Sequence, residues 1–217
     1  MLVGVDFDNT IVSYDALFWN VALEKKLIPE SVPPVKNAVR DHLRAAGQEQ
    51  TWIELQGYIY GKRMNEAVPY KGVIEFFRQC RNRSVPVCII SHKTERPYAG
   101  PEYDLHKAAR GWLCQYGFHD LDGIGLAEDR VFFHPTKRDK VARVFQQRCT
   151  VFIDDLPEIF EEPEFPQGVE KILFSSIPSI GATMGTEDAR FASWKEISRY
   201  IFQANASQRP KQPRPTA

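Results

Sequence analysis

Two aspartates separated by one residue, Asp6 and Asp8, follow directly after a short apolar run near the start of the chain. A second acidic pair, Asp154 and Asp155, follows another apolar run, Thr150 to Ile153. Carboxylates can bind a divalent cation, attack an electrophilic centre or transfer a proton. The two acidic pairs are therefore the first candidates for a chemical site.

Polar side chains of other types lie next to the remaining apolar runs. Ser91 and His92 follow the run that begins at Val85, and Lys137 opens a segment with helical spacing. A serine hydroxyl can donate a hydrogen bond to an anionic oxygen, and a lysine supplies a fixed positive charge. Carboxylates, a hydroxyl and a lysine together indicate phosphoryl transfer, in which the protein positions a nucleophile and neutralises charge on the phosphoryl oxygens.

The elements that must position these residues alternate along the chain. Four short, continuously apolar runs are typical of strands that are buried on both faces of a parallel sheet. They are Leu2 to Val5, Val85 to Ile90, Thr150 to Ile153 and Lys171 to Phe174, with Arg130 to Phe133 as a shorter fifth candidate. Between them the apolar residues recur at helical spacing, as from Leu105 to Tyr116. The sequence therefore predicts an α/β fold with a Rossmann-like, doubly wound, mainly parallel sheet.

Sites of such sheets lie beyond the carboxyl ends of the strands, so the candidate residues are expected to gather at one edge. Asp6 and Asp154 would hold Mg²⁺ there, because this ion prefers oxygen ligands. Ser91 would donate a hydrogen bond to a phosphoryl oxygen, and Lys137 would add positive charge. Asp8 would protonate the departing oxygen and later accept a proton from the attacking water.

One long segment, residues 14–69, interrupts the alternation because its pattern is helical throughout. It divides the predicted core into residues 1–13 and 70–204. The last segment, residues 205–217, is rich in proline, glutamine and basic residues and lacks apolar periodicity. Such a composition predicts a disordered tail, because little burial offsets the entropy lost on ordering.

These motifs, taken in order, resemble those of the haloacid dehalogenase superfamily. The matching residues are Asp6-Phe7-Asp8-Asn9-Thr10, Ser91, Lys137 and Asp154-Asp155. The resemblance implies that Asp6 is the nucleophile and Asp8 the acid and base, with the Asp8 backbone carbonyl also binding the metal. It further implies that Ser91 and the lysine bind phosphate, that Asp154 and Asp155 hold Mg²⁺, and that the helical segment is a cap over the substrate.

Thr10 and His92 join the candidate substrate-binding residues. Thr10 belongs to the first motif, and His92 could contact the leaving group of a substrate, although an exposed polar loop explains it equally well. Asn9 stands where the family's commonest motif has glycine, but asparagine also tolerates a left-handed backbone. Lys140 lies one helical turn after Lys137, and we prefer Lys137 because the first turn of a helix can point past the sheet edge.

Simpler interpretations exist for each motif. Either acidic pair alone could cap a turn or a helix. A calcium loop starting at Asp6 is excluded, because it needs glycine at its sixth position and an acid at its twelfth, where this chain has Ile11 and Leu17. The aromatic residues Trp52 and Tyr60 of the helical segment are typical of packing, with a substrate pocket as the alternative.

The composition limits the partners. The sequence has 28 Lys and Arg and 28 Asp and Glu, so its net charge favours neither nucleic acid nor an anionic membrane surface. No apolar run approaches the ~20 residues of a membrane span, and no export signal is recognisable. The four cysteines lie far apart, three of them among apolar neighbours, and are predicted to be buried and reduced. We expect a cytoplasmic protein that acts on a small phosphorylated metabolite, with its oligomeric state open.

Three functions compete. The leading prediction is Mg²⁺-dependent hydrolysis of a small organic phosphate monoester through an aspartyl-phosphate on Asp6. The alternatives are transfer of the phosphoryl group to another hydroxyl, as in the mutases of the same superfamily, and a catalytically quiet binding protein with the same fold. Dehalogenation is disfavoured, because members with that activity lack the second aspartate that is present here as Asp8.

Overall fold

The structure is a computed structural model that describes residues 1–175 and 189–207. Its main sheet has six strands in the order β5-β4-β1-β6-β7-β8, and each neighbouring pair is parallel. The strands are β1 (Val3–Val5), β4 (Val87–His92), β5 (Val131–His134), β6 (Val151–Asp154), β7 (Glu170–Phe174) and β8 (Ala189–Phe191). The predicted fold class and all five predicted strands are confirmed.

Both faces of the sheet are buried, which explains why the strand sequences are apolar without alternation. Ile89 of β4 belongs to one hydrophobic core, whereas its neighbours Cys88 and Ile90 belong to the other. In β6, Phe152 likewise faces the opposite side from Val151 and Ile153. Side chains of consecutive strand residues point to opposite faces, so continuous apolarity fills two cores at once.

Helices cover the two faces. Helix α4 (Val73–Asn82) precedes β4 in the chain. After β4, β5, β6 and β8 come α5 (Leu105–Gln115), α6 (Lys137–Gln146), the short α7 (Pro157–Phe160) and α8 (Trp194–Ser207), respectively. The apolar residues of α6 and α7 join the core that contains Phe152, and those of α4, α5 and α8 join the core that contains Ile153. This arrangement places the first turn of α6 at the edge where the parallel strands end.

A two-stranded ribbon connects the sheet to the helical segment. Strand β2 (Val12–Ser13) pairs antiparallel with β3 (Val68–Pro69). Between these strands lie α1 (Asp15–Glu24), α2 (Lys36–Ala45), α3 (Glu49–Gly61) and a 3-10 turn at Met64–Glu66. The division of the chain into a core and a separate insert stays a prediction.

Helix α3 packs closely against the segment that follows β4. A methyl group on Gly57 of α3 would lie 2.7 Å from the Cβ atom of Pro97. The absence of a side chain at Gly57 therefore lets residues 97–99 approach the helix backbone. The indole of Trp112 in α5 donates a hydrogen bond of 2.8 Å to the carbonyl of Ala67, which fixes the returning end of the helical segment.

Several predictions differ in detail from the structure. Strand β8 and the β2–β3 ribbon were not predicted, because runs of two or three partly buried residues carry no periodic signal. Helix α8 continues to Ser207, three residues into the predicted tail, and residues 208–217 lie outside the described residues. All four cysteines are free thiols, but Cys114 is exposed and corrects the expectation of burial there.

In the described ranges, no helix combines the length and apolar character that crossing a membrane requires.

Candidate active site

The loop after β1 turns sharply at the first acidic motif. The backbone N–H of Asp6 donates to the carbonyl of Ile153 at 2.9 Å, which extends the contact between β1 and β6 to the first aspartate. Asn9 adopts the left-handed conformation, with φ of 58°. The N–H groups of Ile11 and Val12 both donate to the carbonyl of Phe7 at 3.0 Å. The structure thus confirms that asparagine supplies the left-handed residue this turn needs.

Asp6 lies at the meeting point of two strands and a helix. Asp6 as a whole residue is only 4 % exposed. The Ser91 hydroxyl, at the end of β4, donates to Asp6 Oδ1 at 2.9 Å, and the Lys140 amine, from α6, donates to the same oxygen at 2.6 Å. Three distant parts of the sequence therefore converge on one carboxylate, as expected for the edge of a parallel sheet.

The structure corrects the preference for Lys137. The Lys140 amine lies 2.6 Å from Asp154 Oδ2 as well as from Asp6, whereas that of Lys137 lies 3.2 Å from Glu158 Oε1. Lys137 begins the helix, and its amine reaches the partly exposed Glu158 instead of the carboxylate cluster. Lys140, one helical turn further in, is level with the ends of β1 and β6 and is 1 % exposed.

The acidic pair after β6 completes a cluster of carboxylates. One oxygen from each of Asp6, Asp154 and Asp155 lies within 4.8 Å of the others. Asp154 is fully buried, and its Oδ1 accepts a hydrogen bond from the backbone N–H of Leu156 at 3.1 Å. The two expected acidic motifs therefore do meet at one place in the molecule.

The cluster holds more negative charge than Lys140 offsets. Burial, opposed by Lys140 and assisted by Asp6, raises the pKa of Asp154 to about 7. Burial and the carboxylates Asp6 and Asp154 also raise the pKa of Asp155 well above its usual value. For Lys140, burial alone lowers the pKa, but Asp154 and Asp6 outweigh it and raise the pKa above its usual range. The three clustered carboxylates repel one another, and a divalent cation would relieve this repulsion. Their oxygen atoms are suitable ligands for such an ion, so the residues present fit a divalent-cation site.

Asp8 is held by two residues of different elements. The amine of Lys93 lies 3.0 Å from Oδ1 and 2.8 Å from Oδ2 of Asp8, and the Tyr14 hydroxyl donates to Oδ1 at 2.5 Å. The Lys93 side chain is 3 % exposed and that of Asp8 is 18 % exposed. Burial, followed by the charge of Asp8, raises the pKa of Tyr14 well above its usual value, so the hydroxyl stays a donor.

Thr10 and His92 occupy different surroundings. Thr10 is fully buried, and its hydroxyl donates to Asp155 Oδ1 at 3.3 Å, while its carbonyl accepts from the indole of Trp194 at 3.0 Å. His92 has Nε2 3.0 Å from the carbonyl of Pro135 and lines a cavity beside Asp8. Thr10 thus orients an acid of the cluster, and direct contact of either residue with a substrate stays a prediction.

Two cavities lie between the helical segment and the sheet edge. The larger has a volume of about 620 Å³ and reaches Asp155, and the smaller has a volume of about 310 Å³ and reaches Asp8. They share four lining residues, namely Asn9, Lys36, Gln56 and Leu156. Helices α2 and α3 therefore form one wall of the space in which a ligand would meet the acidic cluster.

Three contacts of this site were not predicted. Lys93 had a recognisable signal, because a residue two positions after Ser91 in an extended strand points to the same side. Tyr14 and Lys36 had none, since they lie among helical residues whose distance from Asp8 depends on how the helices fold back over the sheet. Ser91, Asp6, Asp154 and Asp155 all lie together as predicted.

Comparisons with known proteins agree on the fold of the chain. No family model matches the sequence, and no curated protein matches it either. Among solved structures, the chain is similar to a HAD-superfamily hydrolase from Ehrlichia chaffeensis, with 13 % identity, a TM-score of 0.56 and coverage of 93 % of this chain and 96 % of that chain. It is also similar to a HAD family hydrolase from Deinococcus radiodurans with bound phosphate and sodium, with 15 % identity, a TM-score of 0.57 and coverage of 94 % and 96 %.

A third similar structure is the protein tyrosine kinase A of Mycobacterium tuberculosis, with 16 % identity, a TM-score of 0.60 and coverage of 92 % of this chain and 96 % of that chain. In all three comparisons the similarity covers almost the whole of this chain and almost the whole of the other chain. The chain therefore has the fold of the haloacid dehalogenase superfamily. At these identities the likeness concerns the fold alone, because one fold supports many different activities.

Proposed function

We propose that the protein is a Mg²⁺-dependent phosphatase that hydrolyses small organic phosphate monoesters through an aspartyl-phosphate on Asp6. The observation that carries this proposal is the environment of the Asp6 carboxylate. One of its oxygens contacts both Ser91 and Lys140, and the carboxylates of Asp154 and Asp155 lie beside it. A nucleophile, two donors for phosphoryl oxygens and a cation site thus share one small space.

Asp6 is assigned the attack on phosphorus. Both side-chain donors contact its Oδ1, and we assign the new O–P bond to Oδ2. As that bond forms, the bond between phosphorus and the ester oxygen breaks, and the leaving oxygen takes a proton from Asp8. Water then attacks phosphorus, gives a proton to Asp8 and releases phosphate and the free Asp6 carboxylate.

Lys140 and Ser91 stabilise the charge on the phosphoryl oxygens. Lys140 stays protonated in its buried position, because the carboxylates around it raise its pKa. A permanent cation fixed by Asp6 and Asp154 requires little reorganisation when charge develops.

Mg²⁺ would be held by Asp6, Asp154 and Asp155, with the backbone carbonyl of Asp8 as a further ligand. When bound, it would reduce the repulsion between the Asp6 carboxylate and the phosphate dianion. Asp155 is oriented for this role by the hydroxyl of Thr10.

Helices α1 to α3 are assigned the role of a cap over the substrate. Their residues Lys36, Gln56 and Tyr60 line the cavities that lead to Asp8 and Asp155. A small phosphorylated metabolite fits cavities of this size. The free state of the four cysteines favours a cytoplasmic location.

The direct test is phosphate release by the purified protein from a panel of phosphate monoesters with Mg²⁺. Asp6→Asn should lower kcat by at least about a thousandfold, because an amide cannot form the acyl phosphate. Lys62→Gln, which removes an exposed lysine that lines neither cavity, should keep wild-type activity. Activity that depends on Mg²⁺ but survives in Asp6→Asn would contradict the assignment.

A second candidate is phosphoryl transfer to a hydroxyl other than water. It is favoured by the similarity to a structure named a protein tyrosine kinase. The same residues would form the aspartyl-phosphate, and only the acceptor differs. Measuring released phosphate against phosphorylated product, in the presence of candidate alcohols, separates the two reactions.

A catalytically quiet binding protein is the third possibility. Beryllium fluoride with Mg²⁺ mimics a phosphorylated aspartate and should raise the melting temperature of an intact site. Absence of both turnover and this stabilisation would favour a protein that has kept the fold alone.

A further inference from the structure

Helix α2 presents a row of cations to the larger cavity. Lys36, Arg40 and Arg44 follow one another at intervals of four residues, and all three line this cavity. Residues four positions apart lie on the same face of a helix, one turn above the other. The cavity therefore has one positively charged wall that belongs to the helical segment.

Lys36 is the member of this row closest to the acidic motif. Its amine lies 3.4 Å from Oδ1 of Asn9, and 5.4 Å and 5.5 Å from the ring centres of Phe18 and Tyr60. In the described part of the chain, it forms no ion pair within 4.0 Å. Burial alone lowers its pKa, but Tyr60 and Asp155 more than offset this effect, so the amine remains charged at neutral pH.

Arg40 and Arg44 each pair with an acid at the surface. Arg40 uses Nε for a contact of 2.8 Å with Asp41, whose side chain is 64 % exposed. Arg44 forms two hydrogen bonds with Glu49, of 2.6 Å from Nε and 2.8 Å from Nη2, and both side chains are about half exposed. The single contact of Arg40 with the exposed Asp41 contributes little, so a ligand can replace it at small cost. The bidentate pair holds Arg44 to Glu49 more firmly.

The acids of the same cavity do not cancel these cations. Asp15 accepts a hydrogen bond from the backbone N–H of Lys36 at 2.9 Å, and Asp155 belongs to the carboxylate cluster assigned to the metal. Once a divalent cation is bound, the larger cavity carries an excess of positive charge. Such a cavity attracts an anion.

The smaller cavity has a different character. Ile53, Tyr60, Pro97 and Tyr98 give it a mainly apolar and aromatic lining beside Asp8 and Lys93. The shared residues Asn9 and Lys36 join it to the cationic cavity. A ligand whose ester oxygen lies at Asp8 can therefore extend towards α2.

We propose that the larger cavity binds a second anionic group of the substrate, a carboxylate or a second phosphate on the leaving group, through Lys36 and Arg40. This inference rests on the proposed phosphatase function and names its substrate class. The Lys36 amine lies beside Asn9 of the first acidic motif, and Arg40 lies one turn, ~5.4 Å, further along the helix. The guanidinium group of Arg40 matches the planar fork of a carboxylate or the oxygens of a phosphate.

The kinetic test compares matched substrates with and without the second anion. Glycerol 3-phosphate and fructose 6-phosphate have neutral leaving groups, whereas 3-phosphoglycerate adds a carboxylate and fructose 1,6-bisphosphate adds a phosphate. The wild type should prefer one of the two doubly anionic substrates over its neutral counterpart by at least about tenfold in kcat/KM. A preference for 3-phosphoglycerate would identify the second anion as a carboxylate, and a preference for fructose 1,6-bisphosphate would identify it as a phosphate.

Arg40→Gln should reduce that preference by about tenfold, mainly by raising KM for the doubly anionic substrate. Its kcat/KM for the neutral substrates should stay within about twofold of the wild-type value. Lys62→Gln removes one positive charge from the exposed end of the same helical segment and should leave the preference unchanged. Equal losses for neutral and doubly anionic substrates in Arg40→Gln, or no preference in the wild type, would overturn the inference.

Equilibrium binding separates this inference from the proposed function. The Asp6→Asn variant should bind 3-phosphoglycerate or fructose 1,6-bisphosphate more tightly than the neutral counterpart in calorimetry, and adding Arg40→Gln should abolish the difference. If the wild type shows no turnover, the phosphatase proposal fails, and the binding difference still decides whether the cationic cavity selects a second anion. Equal affinities in both variants reject the inference even if the phosphatase is active.

Discussion

The amine of Lys140 lies 2.6 Å from Oδ1 of Asp6, although 134 positions separate the two residues in the sequence. The same amine lies 2.6 Å from Asp154, so one buried cation connects the ends of β1 and β6. This contact gives Lys140 a structural role and, under the proposed function, a catalytic one. It offsets part of the charge of the carboxylate cluster in the folded protein, and it places a fixed positive charge where a phosphoryl group would react.

Replacing Lys140 tests both functions. Lys140→Met should lower kcat by at least about a hundredfold and destabilise the protein by ~3 kcal/mol, because it leaves buried carboxylates without their cation. Lys137→Met should change stability by less than about 0.5 kcal/mol, because its contact with Glu158 lies at the surface. Phosphate release and urea denaturation measure the two effects. A larger effect from Lys137→Met than from Lys140→Met would reverse the assignment of the phosphate-binding lysine.

The stability of the metal-free protein should depend on Asp154 between about pH 4 and pH 7. Its pKa rises from the usual 3.8 to about 7 on folding, so the folded state binds a proton in this range more strongly than the unfolded state. The contribution of Asp154 is therefore fully present below pH 3.8 and is lost as the pH rises through 7. In chelator, the free energy of unfolding of Asp154→Asn, followed from pH 4 to pH 7, should fall less than that of the wild type. Parallel curves for the two proteins would argue against a raised pKa.

Mg²⁺ should stabilise the protein more strongly at pH 7.5 than at pH 5.5. Binding requires the ionised carboxylates, and the pKa values of Asp154 and Asp155 are raised in the absence of metal. An excess of one hundred times the dissociation constant stabilises by ~2.7 kcal/mol, which thermal denaturation detects easily. Asp155→Asn should remove most of this shift, and Asp139→Asn, at an exposed acid on α6, should keep it. Equal shifts in both variants would place the metal elsewhere.

The hydroxyl of Tyr14 should contribute to the reaction through Asp8. Tyr14→Phe removes the hydrogen bond of 2.5 Å to Asp8 Oδ1 and leaves the aromatic packing with Phe18 and Tyr60 in place. A hydrogen bond to a charged group contributes ~1.5–3 kcal/mol, so kcat should fall by about tenfold or more. Phe18→Leu is the packing control and should lower stability without a comparable loss in kcat at low temperature. An unchanged kcat in Tyr14→Phe would mean that Lys93 alone holds Asp8.

Gly57 should be needed for the approach of residues 97–99 to α3. A methyl group at this position would lie 2.7 Å from Pro97, so Gly57→Ala must push the segment away and reshape the smaller cavity. We expect a destabilisation of ~1–3 kcal/mol together with a raised KM. Gly111→Ala in α5 is the matched control, because no atom lies within 4 Å of the added methyl group. That variant should be more stable than the wild type by ~0.5–1 kcal/mol, as alanine suits a helix better than glycine.

The sequence by itself determined the sheet and the positions of its acids. The runs that became β1, β4 and β6 are apolar at every position because both faces of these strands are buried, and this pattern is visible without any structure. Asp6, Ser91 and Asp154 come at the strand ends, and a parallel sheet brings such ends to one edge. Asn9 was also correctly predicted to accept a left-handed backbone.

Only the tertiary structure decided which cationic side chains reach the acids at the carboxyl-terminal edge of the sheet. Lys137 and Lys140 lie one turn apart on α6, and the choice between them depends on how far the helix extends beyond the sheet, a distance that periodicity does not contain. The pairing of Lys93 and Tyr14 with Asp8, and the row that begins at Lys36, likewise depend on how the helical segment folds back over the strands. Local patterns encode which face of an element is buried, whereas the reach of a side chain is set by the relative placement of whole elements.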